Sequence, residues 1–271
     1  LVNSASPPPP PSPPSASPAG GGYLSFTGTA YNDPWQYVVI RDSASLSITG
    51  EYTVSSWIYR SNSGGDWRSL YDIPGAHMLE FTPEGGYVWR AENNNIDFNI
   101  NGPVVREGEW HHVAASIKTN TIGGYTADVY LDGTLATSTI LNWGMPTFSN
   151  VSGVRDSNAD LYLGILWSQR FGNPDPWAGS IDDFKIWNTS LSPQEIAAVA
   201  ANDQTVKRDN LALELNFNND TGTTINDTSG KGNNGTLVNS ASPPPPPSPP
   251  SASPAGGGYL SFTGTAYNDP W

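Results

Sequence analysis

Cleavage of a glycosidic bond calls for two carboxylates flanking the scissile bond. The chain has no strand of the alternating Glu-x-Asp-x-Glu kind that would present them on one face. Glu92, Asp97, Glu107 and Glu109 are scattered among turn residues, where solvated charge and turn capping account for them. His111-His112 suggests general-base or metal chemistry, but neighbouring residues of a strand point to opposite faces, so the two rings cannot converge on one ligand. The absence of cysteine excludes thiol catalysis and thiolate metal sites. No glycine-rich phosphate loop, nucleophile elbow or zinc-binding helix is present. We expect no enzymatic activity.

Binding chemistry is better supplied. Sugars present apolar faces that stack on exposed aromatic rings, and the chain holds 10 tryptophans. Trp57, Trp110 and Trp187 stand in core-like alternation and read as packing. Trp67, Trp143, Trp167 and Trp177 lie in Gly/Asn/Pro-rich surroundings and are the candidate carbohydrate contacts, with plugging of loop cores as the competing role. Glycan could also be attached covalently, since Asn150, Asn188, Asn219, Asn226 and Asn234 each head an Asn-x-Ser/Thr sequon. A chain this rich in Asn, Ser and Thr produces some sequons by chance.

These groups need a scaffold, and composition indicates its class. Charged residues are 14% of the 271, while Gly, Pro and aromatics are abundant, which favours strands and turns. A net charge of −13 with 12 Lys+Arg gives no basic footprint, so nucleic acid is excluded as a partner. No apolar run is long enough for membrane insertion. Without an initiator Met or a signal-type segment, the chain reads as a mature or internal fragment.

A shift of 236 residues superimposes Leu1–Trp35 on Leu237–Trp271 without one difference, the signature of a tandem array. Within the repeat, Ser6–Pro18 is proline-rich. Proline fixes φ and removes the backbone donor, so this stretch should form a polyproline II rod roughly 35 to 40 Å long. Its Ser-Pro-Pro pattern resembles the hydroxyproline-rich wall glycoproteins of algae and plants. That resemblance implies hydroxylation and O-glycosylation at Pro7, Pro8, Pro9, Pro10, Pro11, Ser12, Pro13 and Pro14. The expected domains are a Pro/Ser-rich linker over 1–20, a globular unit over 21–239, a second linker over 240–258, and the start of the next repeat over 259–271.

Within the globular unit, short runs of alternating apolar and polar residues predict strands. The clearest are Tyr23–Phe26, Tyr37–Ile40, Thr53–Tyr59, Met78–Phe81, Tyr87–Trp89, His112–Ile117, Asp128–Leu131, Leu161–Leu163, Ile181–Trp187 and Leu211–Phe217. Asp132-Gly133 predicts a hairpin turn. One helix is expected, opening at Ser192-Pro193-Gln194-Glu195 with a capping box. The fold class expected is all-β: a two-sheet antiparallel jelly-roll sandwich with one short helix, plus a polyproline II linker.

The order of the motifs carries a resemblance over roughly Tyr23–Asn239. Tyr23-Leu24-Ser25-Phe26-Thr27-Gly28, Glu109-Trp110-His111-His112-Val113, Val129-Tyr130-Leu131-Asp132-Gly133, Gly179–Asn188 and Leu191–Ile196 together resemble the laminin G-like, pentraxin-like branch of the concanavalin A-like lectins. The resemblance implies secretion, and a calcium ion bound by oxygen ligands at a sheet edge, with Asn32, Asp33, Asp182 and Asp183 as candidate ligands. In that family a segment like Leu211–Val238 opens the domain, whereas here a proline rod follows it. We expect this segment to fold onto the jelly roll preceding it; the rival arrangement completes the next domain. The function expected is a structural repeat of a glycosylated extracellular, cell-surface or wall fibril whose partners are copies of itself and glycans. The alternative is a multivalent carbohydrate-binding adhesin.

Overall fold

The computed structural model describes residues 18–28, 35–61, 66–93, 96–120, 124–141, 157–167, 174–218 and 220–239. The strands are β1 (Leu24–Thr27), β2 (Tyr37–Ile40), β3 (Tyr52–Arg60), β4 (Arg68–Ile73), β5 (His77–Phe81), β6 (Gly86–Asn93), β7 (Ile96–Val104) and β8 (Trp110–Thr119). They continue with β9 (Tyr125–Leu131), β10 (Thr134–Leu141), β11 (Leu161–Leu163), β12 (Ala178–Trp187), β13 (Leu211–Leu215), β14 (Thr224–Ile225) and β15 (Gly235–Val238), with a helix α1 (Pro193–Ala200) after β12. One sheet runs β1-β12-β3-β8-β9-β10 with β13 also on β12, and the other runs β14-β15-β2-β11-β4-β5-β6-β7. All the pairings within the two sheets are antiparallel. This is the jelly-roll sandwich that the alternation predicts.

Alternation places one set of side chains between the sheets. Leu24, Phe26, Val38, Ile40, Ile58, Leu79, Trp89, Val113, Phe184 and Leu213 meet in a single buried cluster. The remaining faces differ. The six-strand path carries α1 on its outer side, where Ile196 and Val199 pack with Ala114, Tyr130, Trp187, Leu191 and Leu211 as a second apolar cluster. The helix starts where the sequence predicts: the Glu195 amide donates to Ser192 Oγ, and the Ser192 amide donates to Glu195 Oε2 at 2.7 Å. The hairpin β9–β10 turns at Asp132-Gly133, both with positive φ, as a two-residue turn matching strand twist requires. Strands β4 and β7 were not among the clearest runs; Arg68 and Asp72 in β4 and Asn99, Asn101 and Pro103 in β7 dilute the apolar alternation.

The last strands join the same sandwich. Leu211–Leu215 pairs with Trp187–Phe184 of β12, and Gly235–Val238 pairs with Ile40–Tyr37 of β2. Both sheets are thus extended by residues 211–238 of the chain that built them. The proline-rich positions Pro7–Pro11, Ser12, Pro13 and Pro14 lie outside the described residues.

Candidate functional site

On β2, Tyr37 and Val39 alternate with fully buried Val38 and Ile40, so the two former face away from the core. Tyr162 does the same between Leu161 and Leu163 on β11, where it lies opposite Val39. Trp167, four residues after β11 ends, folds back over this face. Its ring stacks on Tyr162 with centroids 4.6 Å apart and planes 6° from parallel, and lies 5.5 Å from Tyr37. Tyr37 and Tyr162 are 6.0 Å apart. The three rings form one cluster, and Trp167 is 37% exposed. Its position is fixed from below, because its amide donates to Asp72 Oδ2 at 2.9 Å.

Polar groups edge the cluster. Arg41 Nη1 meets Asp160 Oδ2 at 2.6 Å, and the Asp42 amide donates to the other oxygen of Asp160. Partial burial raises the Tyr37 and Tyr162 hydroxyls above their ordinary range, while the Arg41 guanidinium opposes the rise, so both phenols stay protonated donors at neutral pH. Beneath and beyond the rings runs a strip of carboxylates. Asp72 is opposite Tyr162, and Glu80 alternates with core residues Leu79 and Phe81 on β5. Both are buried, Glu80 at 1% exposure. Burial pushes Glu80 up to about 7 against the pull of Arg90, whose Nε lies 2.9 Å from Glu80 Oε2, and Asp175 and Asp72 push it further. Burial likewise raises Asp175 to about 6. At the far end, Arg90 lies over the Trp67 ring, 5.5 Å from its centre.

The second sheet face holds a cleft of about 330 Å³ with Asp182, Asp183, Gln204, Arg208, Glu214 and Asn218 among its walls. Ala19 and Gly20 close one side. Asn202 Nδ2 donates to the Ala19 carbonyl at 2.8 Å, and the Gly22 amide donates to Asn218 Oδ1 at 2.6 Å.

The structure sorts the sequence-predicted residues. Trp167 joins an aromatic cluster and Trp67 is half-buried beside Arg90. Trp177 is a correction: it is 1% exposed and packs edge-on to Phe81, so it fills the core and cannot touch a glycan. Its Gly/Asn/Pro-rich context reflects the loop before β12, not a free surface. Trp143 lies outside the described residues, as do Asn32, Asp33, Asn150 and Asn219. Among the other sequons, Asn188 and Asn234 are exposed, while Asn226 Nδ2 donates to Asp220 Oδ1 at 2.8 Å. The two histidines part as alternation demands: His111 pairs with Asp132 at 2.9 Å, and His112 is buried against Trp57. Asp182 and Asp183 sit together at a bulge in β12. Among the described residues, no group of three His, Cys, Asp or Glu is disposed to hold a metal. Tyr37 and Tyr162 went unnoticed in the sequence because they are 125 residues apart; their outward positions in short strands are the one signal that marks them.

Two antiparallel sheets packed as a jelly roll, with one short helix on an outer face, have the architecture of the concanavalin A-like fold. The family described as the concanavalin A-like lectin/glucanases superfamily matches residues 32–197, and the chain belongs to it. The chain is 27% identical over 140 residues to the "Sushi, von Willebrand factor type A, EGF and pentraxin domain-containing protein 1" of Rattus norvegicus, covering 48% of this chain but 4% of that protein. Among solved structures, it is similar to a candidate carbohydrate-binding protein from Bacteroides ovatus, with a TM-score of 0.56 and 17% identity over 79% of this chain and 58% of the other. It is also similar to the heptameric SAP-like pentraxin of Limulus polyphemus, with a TM-score of 0.49 and 15% identity over 67% and 82%. No helix among the described residues is long and apolar enough to cross a membrane.

Proposed function

We propose that the chain is an extracellular carbohydrate-binding module, presented in multiple copies along a tandem array. The carrying observation is the Tyr37–Tyr162–Trp167 cluster. Three rings gathered on an outer sheet face, edged by phenol hydroxyls and the Arg41–Asp160 pair, offer both the apolar stacking surface and the hydrogen-bonding groups that a sugar ring requires. Repetition every 236 residues adds avidity to sites that are individually weak. The likeness to the Bacteroides ovatus protein and the superfamily's lectin character support the same reading. We read the module as non-catalytic, because Asp72 and Glu80 are buried and Asp160, at the edge of the rings, is held in an ion pair by Arg41. The test is a glycan-array screen followed by titration calorimetry of the best ligand against the wild type and Trp167→Ala. Loss of binding by at least about tenfold, with the melting temperature unchanged, is the expected result. Undiminished binding would remove the cluster from the site.

A second reading, a structural bead of a glycosylated fibril, rests on a different observation. The 35 residues that occur twice, Leu1–Trp35 and Leu237–Trp271, are identical, and amide side chains fasten the chain at both ends of the globular unit: Asn202 and Asn218 hold Ala19–Gly22, and Asn239 Nδ2 donates to the Trp35 carbonyl at 2.9 Å. Mass spectrometry of native material for hydroxyproline and its glycans at Pro7–Pro14 tests it; bare prolines would count against a glycosylated rod. Calcium at Asn32 and Asp33 belongs to the same set of proposals and is read by titration of the whole chain.

A further inference from the structure

We propose that the ammonium of Lys185 is a resident cation filling the oxygen cage at the Asp183 edge of the sheet, so that this position takes no calcium. The bulge between Asp182 and Lys185 inserts Asp183 into β12 with φ of 50°, a conformation uncommon for a residue with a side chain and characteristic of bulges that re-aim one. Its effect is to leave both Asp182 and Asp183 between the core residues Ile181 and Phe184, and ordinary alternation then sets Lys185, two residues on, on the same side of the strand as Asp183. Lys185 is 3% exposed, and its Nζ lies 2.7 Å from Asp183 Oδ2, 2.7 Å from Gln204 Oε1 and 3.5 Å from Glu214 Oε1. Three oxygens from three parts of the chain therefore converge on one nitrogen.

A calcium ion would require six to eight oxygens at roughly 2.3–2.6 Å. The point on which Asp183, Gln204 and Glu214 converge is occupied by a positive charge that is part of the chain, and a divalent cation could enter only by expelling it. The surrounding acids are spoken for as well. Glu214 takes a bidentate contact from Arg208 Nη1, at 2.9 and 2.8 Å, and Asp182 Oδ1 accepts the Asp183 amide at 2.7 Å. Two cations thus face three carboxylates, which leaves too little negative charge to draw in a divalent ion. The cage also ties β12 to β13 and to the connection after α1, so Lys185 holds the closing strand by the means a metal would otherwise supply.

The experiment is thermal unfolding of the full chain in EDTA and in 10 mM calcium, with magnesium at equal concentration as the ionic-strength control. The wild type should shift by less than about 1 °C through this position. Lys185→Ala should melt lower, and calcium should raise it by about 5 °C, as expected for an emptied cage filled at many times its dissociation constant. That gain should vanish in Lys185→Ala combined with Asp183→Asn. A wild-type stabilisation by calcium that Asp183→Asn abolishes would overturn the proposal, and this comparison does not depend on the lysine variants folding. A folded Lys185→Ala protein without a calcium response would overturn it too; should that variant not fold, Lys185→Gln, which keeps the side-chain bulk, takes its place.

Discussion

Replacing Glu80 by Gln tests whether the carboxylate strip under the aromatic rings is strained in the sense its burial demands. Glu80 in the folded chain titrates at about 7, against 4.5 for a free side chain. A group raised on folding contributes stability that is complete below 4.5 and is lost as pH rises through 7. Integrated from pH 5 to pH 8, that difference in proton binding removes about 2.5 kcal/mol from the wild type. Glutamine keeps the shape but cannot ionise, so the variant should lack this part of the slope. Urea unfolding of both proteins at pH 5, 6.5 and 8 measures it, because subtracting the two profiles cancels every group they share. The variant should gain on the wild type by roughly 2 kcal/mol across that interval, even though it gives up the charge-assisted contact with Arg90. Parallel profiles would refute the reasoning, since they would mean that Glu80 reaches water or stays fully compensated by Arg90 in the folded state.

Further outcomes follow from single contacts. His77 is pushed down to about 3 by burial, so its contribution is complete above about 6.5 and is lost at up to about 1.4 kcal/mol per pH unit as the solution is acidified, which His77→Phe should reduce in the same unfolding assay. Ser192→Ala removes the helix cap and should cost about 1 kcal/mol by chemical denaturation. Gly179→Ala should fail to fold to the native near-ultraviolet spectrum, because its Cβ would meet the Tyr59 carbonyl oxygen with the backbone at φ of 132°. Glycopeptide mapping should find Asn188 and Asn234 more fully occupied than Asn226, whose amide is engaged by Asp220.

Much of the fold was legible because jelly-roll strands announce themselves by period-two alternation and their turns by glycine and asparagine. Tyr37–Ile40 and Leu161–Leu163 have the bounds the pattern predicts, and the Ser192 capping box marks the helix. The site was far less legible, for two physical reasons. Aromatic residues serve equally as core and as platform, and only the sheet partner decides: Trp177 and Trp167 have similar surroundings in the sequence, yet one plugs the core and the other stacks on Tyr162. Carboxylates are brought together by register rather than by sequence. Asp72 and Glu80 come from adjacent antiparallel strands, one of them a strand that the apolar pattern does not announce, so a search along single strands passes over them.

The outer faces of the two sheets differ in their chemistry. On the face of β12, the charges are closed on one another: Lys185 and Arg208 satisfy Asp183 and Glu214, and the product is mechanical, a closing strand held without an external ion. On the face of β2 and β11, the groups are left open to contact, with Trp167 at the surface and the phenols protonated. Burial pushes the Glu80 carboxyl up to about 7, and Arg41 pairs with Asp160 at the edge of the rings, so part of the negative charge of that face is withheld near neutral pH. Such a surface suits neutral sugar faces better than cations. Its binding should weaken modestly as pH rises above 7 and Glu80 gains its full charge, and calorimetry with one neutral ligand at pH 6 and pH 8.5 measures the change. An affinity that climbs with pH would mean instead that the carboxylate strip itself, and not the ring cluster, makes the contact.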